Sequence, residues 1–131
     1  MAQKIFEHIC AERHIEVQCR GAGIATFTGA PASDNAVTVM KEIEIDLSSY
    51  RSTAITDLDL DSFDLIVPMT YSHILCLLEL GVNKSKIYDL GKDVPDPYNK
   101  NLDCYRETRD ELVVCMKQLA DFVEGELAEE K

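Results

Sequence analysis

Few side chains in this chain stand in patterns that do chemistry. The most pointed is Pro95-Asp96-Pro97-Tyr98-Asn99. A carboxylic acid held between two prolines cannot fold into a helix interior, and its direction is restricted. Taken by itself, the segment reads first as a rigid surface turn, since Asp-Pro turns are common. Five cysteines are nucleophile candidates: Cys10, Cys19, Cys76, Cys104 and Cys115. They form no Cys-x-x-Cys pair, and their odd number and wide spacing argue against a disulfide framework or a zinc ribbon. Cys19 stands next to Arg20, a neighbour able to lower a thiol pKa, but a reactive role is not the expectation for it, and Cys76 and Cys115 read as small buried hydrophobes. His8, His14 and His73 lack metal-ligand spacing, so no metal or cofactor is expected. Asp57-x-Asp59-x-Asp61 opens like a calcium loop, but Ser62 and Pro68 occupy the positions that need Gly and Glu. A solvated acidic turn is the better reading. Gly21-Ala22-Gly23 lacks the full dinucleotide-binding pattern and reads as a turn.

These residues need elements to position them. Ile5, Phe6, Ile9 and Cys10 recur at helical spacing and predict a helix over 2–13. Nothing before Ala2 caps it, so its first N–H groups have no visible partner. The alternation in 15–19 predicts a strand. Ser33-Asp34 starts a helix over 34–43, with Ala36, Val37, Met40 and Ile43 facing inward. Leu65 to Met69 is a continuous apolar run, the pattern of a parallel strand covered on both faces. Thr70 caps a helix to about Leu80, closed by Gly81. A short strand follows at 87–90, then a loop over 91–102. The last helix, about 103–127, aligns Leu112, Met116, Leu119, Val123 and Leu127, and its Glu-rich end is expected to fray. The order αβαβαβα implies a three-layer α/β/α fold with a parallel doubly wound sheet. Such folds usually open on a strand, and here the first strand is missing from the front. One domain over residues 1–131 suits the length.

The chain has 13 Lys+Arg and 24 Asp+Glu, a formal net charge of −11. Phosphate backbones and anionic lipid would repel it, so neither nucleic acid nor membrane is an expected partner. No apolar run approaches the roughly 20 residues of a membrane span, and no signal-peptide pattern is visible. A cytoplasmic protein with reduced thiols is expected.

Taken together, several collinear segments resemble the low-molecular-weight protein tyrosine phosphatases. Met1 to Phe6 resembles the helix that follows that family's phosphate loop. Val17 to Gly23, Gly29-Ala30-Pro31 with Ala36-Val37, Ile45 to Ser48, Phe63 to Ile66 and Val94 to Tyr98 fall where its matching segments fall. The resemblance implies a phosphotyrosine phosphatase I-like fold and hydrolysis of a phosphotyrosine protein or small aryl phosphate through a phosphocysteine. That chemistry needs a thiolate and an arginine in a Cys-x5-Arg loop around the phosphate. It also needs a carboxylic acid for the leaving group, and the resemblance gives that role to Asp96. Tyr98 and Asn99 take the substrate-facing positions, Tyr98 as an aromatic wall. Asn99 departs from the second aromatic common there. Thr70 stands where Asp is frequent, and Tyr50-Arg51-Ser52-Thr53 lacks a frequent His.

The nucleophile is not in this chain. Six residues after each cysteine stand Glu16, Ala25, Val82, Asp110 and Asp121, none of them Arg. The resemblance places the opening strand and phosphate loop ahead of Met1, so the chain is expected to be N-terminally truncated and inactive alone. Two other readings stay open. One is a non-catalytic pseudophosphatase that binds partners, or a second copy, through exposed strand edges. The other is an arsenate reductase relative, weakened because Cys76 has no neighbouring cysteine.

Overall fold

The computed structural model describes residues 1–23 and 28–129. Four α-helices carry the architecture: α1 (Ala2–Glu12), α2 (Asp34–Lys41), α3 (Tyr71–Glu79) and α4 (Leu102–Glu129). The predicted inward face of α1 is the observed one, since Ile5, Phe6, Ile9 and Cys10 are all buried. As the sequence implies, no side chain caps its start. In α2 the Ser33 hydroxyl accepts from the Ala36 N–H at 3.3 Å and donates to Tyr105 Oη at 3.1 Å. The buried residues of α2 are Ala36, Val39 and Met40. The helix stops at Lys41, and Glu44 takes a left-handed φ of 64°. Thr70 caps α3 as expected, its hydroxyl accepting from the His73 N–H at 3.3 Å, and Gly81 follows at φ 85°.

Helix α4 is the spine. It packs broadly against α1 and more narrowly against α2. Leu112, Cys115, Met116, Leu119 and Ala120 are buried on its inner face, in one cluster with Ile5, Phe6, Ile9, Val39 and Met40. Its outer end corrects one expectation. The helix runs to Glu129, and Leu127 is 38% exposed because α4 has by then run past the core. Polar links fix the packing. Arg13 at the end of α1 pairs with Asp121 at 2.6 Å and Glu124 at 3.1 Å. Arg109 donates to the Val39 carbonyl at 2.9 Å, and with Arg106 it grips Glu42 at 2.6 and 2.8 Å.

Parallel pairing appears where the sequence places two strands. Ile66 and Ile87 form a parallel bridge, with the Ile66 N–H donating to Lys86 O at 2.8 Å and the Tyr88 N–H to Ile66 O at 2.9 Å. Among the described residues 15–19 and 65–69 form no ladder with each other. In a 2-1-3-4 strand order they are not neighbours, so none is required. Leu65, Val67 and Met69 are half-buried against the core, and on the alternate positions Ile66 is half-buried and Pro68 buried, so neither face is open. The acidic stretch is two short 3-10 turns, Ile55–Asp57 and Leu60–Ser62. Gly21-Ala22-Gly23 is a pairing segment, not a free turn. The Gly23 N–H donates to Thr53 O at 2.9 Å, in a parallel bridge with Ala54. No helix among the described residues is long and apolar enough to cross a membrane.

Candidate active site

The loop after the Ile66–Ile87 pairing carries Asp96, and it is fastened at both ends. At its start the Val94 N–H donates to Met69 O at 2.8 Å, and Asp93 Oδ1 accepts the Tyr71 N–H at 2.8 Å. At its end the Lys100 N–H donates to Pro97 O at 2.8 Å, and Asn101 Oδ1 accepts from the Cys104 N–H at 2.9 Å, capping α4. Val94 and Pro97 are buried while Asp96 between them is exposed. The apolar residues hold the loop down and leave the carboxylate free to meet a ligand. Asp96 Oδ1 accepts the Tyr98 N–H at 3.0 Å, a local turn that sets the carboxylate's direction.

Tyr98 is 66% exposed, an aromatic ring with little of its own protein around it. Asn99 adopts φ 63°. Asparagine visits this left-handed region readily, whereas an aromatic residue there is strained.

Opposite the loop lies the start of α1. The Met1 amine is buried, which pushes its pKa below the ordinary range, and the Asp96 carboxylate opposes that shift. The N-terminal end of α1 and Asp96 are thus electrostatic neighbours. The uncapped amides of a helix start favour an anion. Gln3, the second residue of α1, joins the helix to the next segment. Its Oε1 accepts the Gly21 N–H at 2.7 Å, and its Nε2 donates to Cys19 O at 3.3 Å and Glu7 Oε1 at 2.7 Å. A Cβ on Gly21 would sit 2.9 Å from Gln3 Oε1 and 3.1 Å from the Tyr50 hydroxyl, so only glycine allows this approach. Burial raises the Tyr50 pKa.

The cysteines stand elsewhere. Cys10 and Cys115 are buried, and Cys76 is only half-buried. Cys19 is not activated by its neighbour Arg20. Burial pushes it up to about 11, with Glu7 adding to the shift, while the Arg20 guanidinium turns to the Thr53 hydroxyl at 3.3 Å. A hollow of about 470 Å³ lies on the middle of α1, between Glu7, Cys10, Ala11 and residues 15–18. It includes none of the Asp96 loop. A smaller groove of about 210 Å³ separates Thr70, Tyr71 and Ile74 from Asp89, Lys92 and Asp93, beside that loop.

Asp96, Tyr98 and Asn99 share one exposed loop, and of the three only Asp96 is an electrostatic neighbour of the Met1 amine. Sequence reasoning missed Gln3, Tyr50 and Asp93. Their partners are distant in sequence, and no local pattern marks them.

The model of the family described as low molecular weight phosphotyrosine protein phosphatase matches residues 1–131. A protein-arginine-phosphatase of Bacillus subtilis is 30% identical over 128 residues, 92% of this chain and 85% of that protein. Among solved structures, a YwlE mutant from Bacillus subtilis superposes with a TM-score of 0.84 at 29% identity, covering 94% of this chain and 88% of that one. A low molecular weight protein tyrosine phosphatase from T. tengcongensis gives 0.84 at 30% identity, covering 92% and 87%. This chain belongs to the low molecular weight phosphotyrosine protein phosphatase family. The fold is therefore the three-layer α/β/α arrangement of that family, as the resemblance implied. The family's activity is hydrolytic removal of phosphate from proteins, at tyrosine or at arginine.

Proposed function

We propose that residues 1–131, as one domain, carry the acid–base half of a phosphotyrosine phosphatase site. The observation that supports this most is the Asp96 carboxylate, exposed on a Pro-Asp-Pro loop that buried Val94 and Pro97 and the Asp93–Tyr71 bond hold down. Phosphate bound at the start of α1 would present its leaving oxygen to Asp96. The acid would protonate the departing phenolate, then accept a proton from the water that cleaves the phosphocysteine. Tyr98 would lie against the substrate ring, with Asn99 beside it. None of the five cysteines is followed by arginine at the required distance. The 131 residues alone are therefore expected to be silent toward aryl phosphate.

A second substrate, phosphoarginine, is favoured by the Bacillus subtilis relative and by Asn99, which leaves only one aromatic to select for a ring. The test joins a strand and Cys-x5-Arg loop, taken from that relative, ahead of Met1. Hydrolysis of para-nitrophenyl phosphate and of phosphoarginine is then measured for the chain alone, the fusion and its Asp96→Asn variant. Activity in the fusion only, reduced at least 100-fold by Asp96→Asn for a poor leaving group, is expected. A folded fusion without activity, or one indifferent to Asp96→Asn, refutes the reading.

A further inference from the structure

We propose that Asp93 is a positioning residue for Asp96, tying the acid-bearing loop to the start of α3. The inference rests on the reading of Asp96 as the general acid. Asp93 Oδ1 accepts the Tyr71 N–H at 2.8 Å, and the adjacent Val94 N–H donates to Met69 O at 2.8 Å. These two bonds, on consecutive residues, meet the same short stretch of chain around Thr70. Two points fixed on one rigid body leave only rotation about the line joining them, a restriction one bond could not impose. From Val94 the path to Asp96 crosses only Pro95, whose ring locks φ. The orientation set at Asp93 therefore passes to Asp96 with few soft torsions between. On the far side, Pro97 is buried, and its carbonyl accepts the Lys100 N–H at 2.8 Å.

The role differs from that of an ordinary helix cap. Thr70 already caps α3 through the His73 N–H. Asp93 takes a different amide, that of Tyr71, from 22 residues away in sequence. Its bond thus closes a long loop onto the helix instead of a local turn. A small misdirection of an acid is enough to lower its rate contribution strongly.

The test uses the 131-residue chain itself, by NMR and amide exchange, in wild type, Asp93→Ala, Asp93→Asn and Asp96→Asn. The Tyr98 N–H donates to Asp96 Oδ1, so its chemical shift follows the ionisation of Asp96. Asp96→Asn abolishes that pH dependence and fixes the assignment. In Asp93→Ala the Val94 and Tyr98 amides should exchange about fivefold faster. The amplitude of the Tyr98 titration should fall to less than about half, because a loosened loop averages the Asp96–Tyr98 geometry. Asp93→Asn keeps an acceptor oxygen and should restore both. Faster exchange confined to the first turn of α3, with the Tyr98 titration unchanged, would make Asp93 a helix cap only and overturn the proposal. If the Asp93→Ala effects appear but the Asp96→Asn fusion hydrolyses as fast as its parent, the general-acid reading fails and the tether stands.

Discussion

Replacing Leu119 by alanine should remove a large part of what holds α1 to α4. Leu119 is 4% exposed in the cluster that also contains Ile5, Phe6 and Ile9. The substitution deletes three carbon groups, and at about 0.8 kcal/mol each the lost burial amounts to about 2.4 kcal/mol. Their volume, about 75 Å³ if the helices do not close up, adds up to about 1.8 kcal/mol for the cavity. The expected cost is therefore about 2.5–4 kcal/mol, a sizeable share of the stability of an ordinary domain. The chain has no tryptophan, so urea unfolding is best followed by helical circular dichroism. With a slope of about 1.5 kcal/mol per M, the midpoint should drop by about 2 M. Leu127→Ala on the same helix is the control. That side chain is 38% exposed, and its loss should cost less than about 1 kcal/mol. Equal shifts for the two variants would refute the claim that the inner face of α4 organises the core.

Two further expectations concern titration. Hydrogen bonds from Arg106 and then Arg109 hold the Glu42 carboxyl at about 2, below its ordinary 4.5. The unfolded chain takes up that proton first, so the stabilisation is complete above about pH 4.5 and is lost as pH falls toward 2. The gap in Tm between wild type and Glu42→Gln should narrow between pH 6 and 2.5, and a constant gap would contradict this. Burial holds the Cys19 thiol at about 11. At pH 8 its alkylation by iodoacetamide, read by peptide mass spectrometry, should be roughly 100-fold slower in the folded chain than in urea. Equal rates in the two states would show Cys19 to be an ordinary thiol.

Much of this protein is legible locally. The apolar spacing of Ile5, Phe6, Ile9 and Cys10 specifies α1, Ser33 and Thr70 mark two helix starts, and the prolines around Asp96 announce an exposed acid. These are effects of neighbours within one turn or one loop, and the sequence records neighbours directly. The family, too, is carried by the order of such segments. What the sequence alone does not record are features whose partners lie far away. Arg20 stands beside Cys19 in the sequence, yet burial sets that thiol's pKa, and Arg20 reaches across to Thr53 instead. The Gly21 segment looked like a turn, but it is shaped by the approach of Gln3 from α1 and of Tyr50. Leu127 kept helical register with the core face but ran past the core, because register fixes direction around a helix and not where the opposing surface ends. The direction of Asp96 belongs to the same class. Its loop is aimed by Tyr71, Met69 and the start of α1, through bonds and fields between segments that only the folded chain brings together.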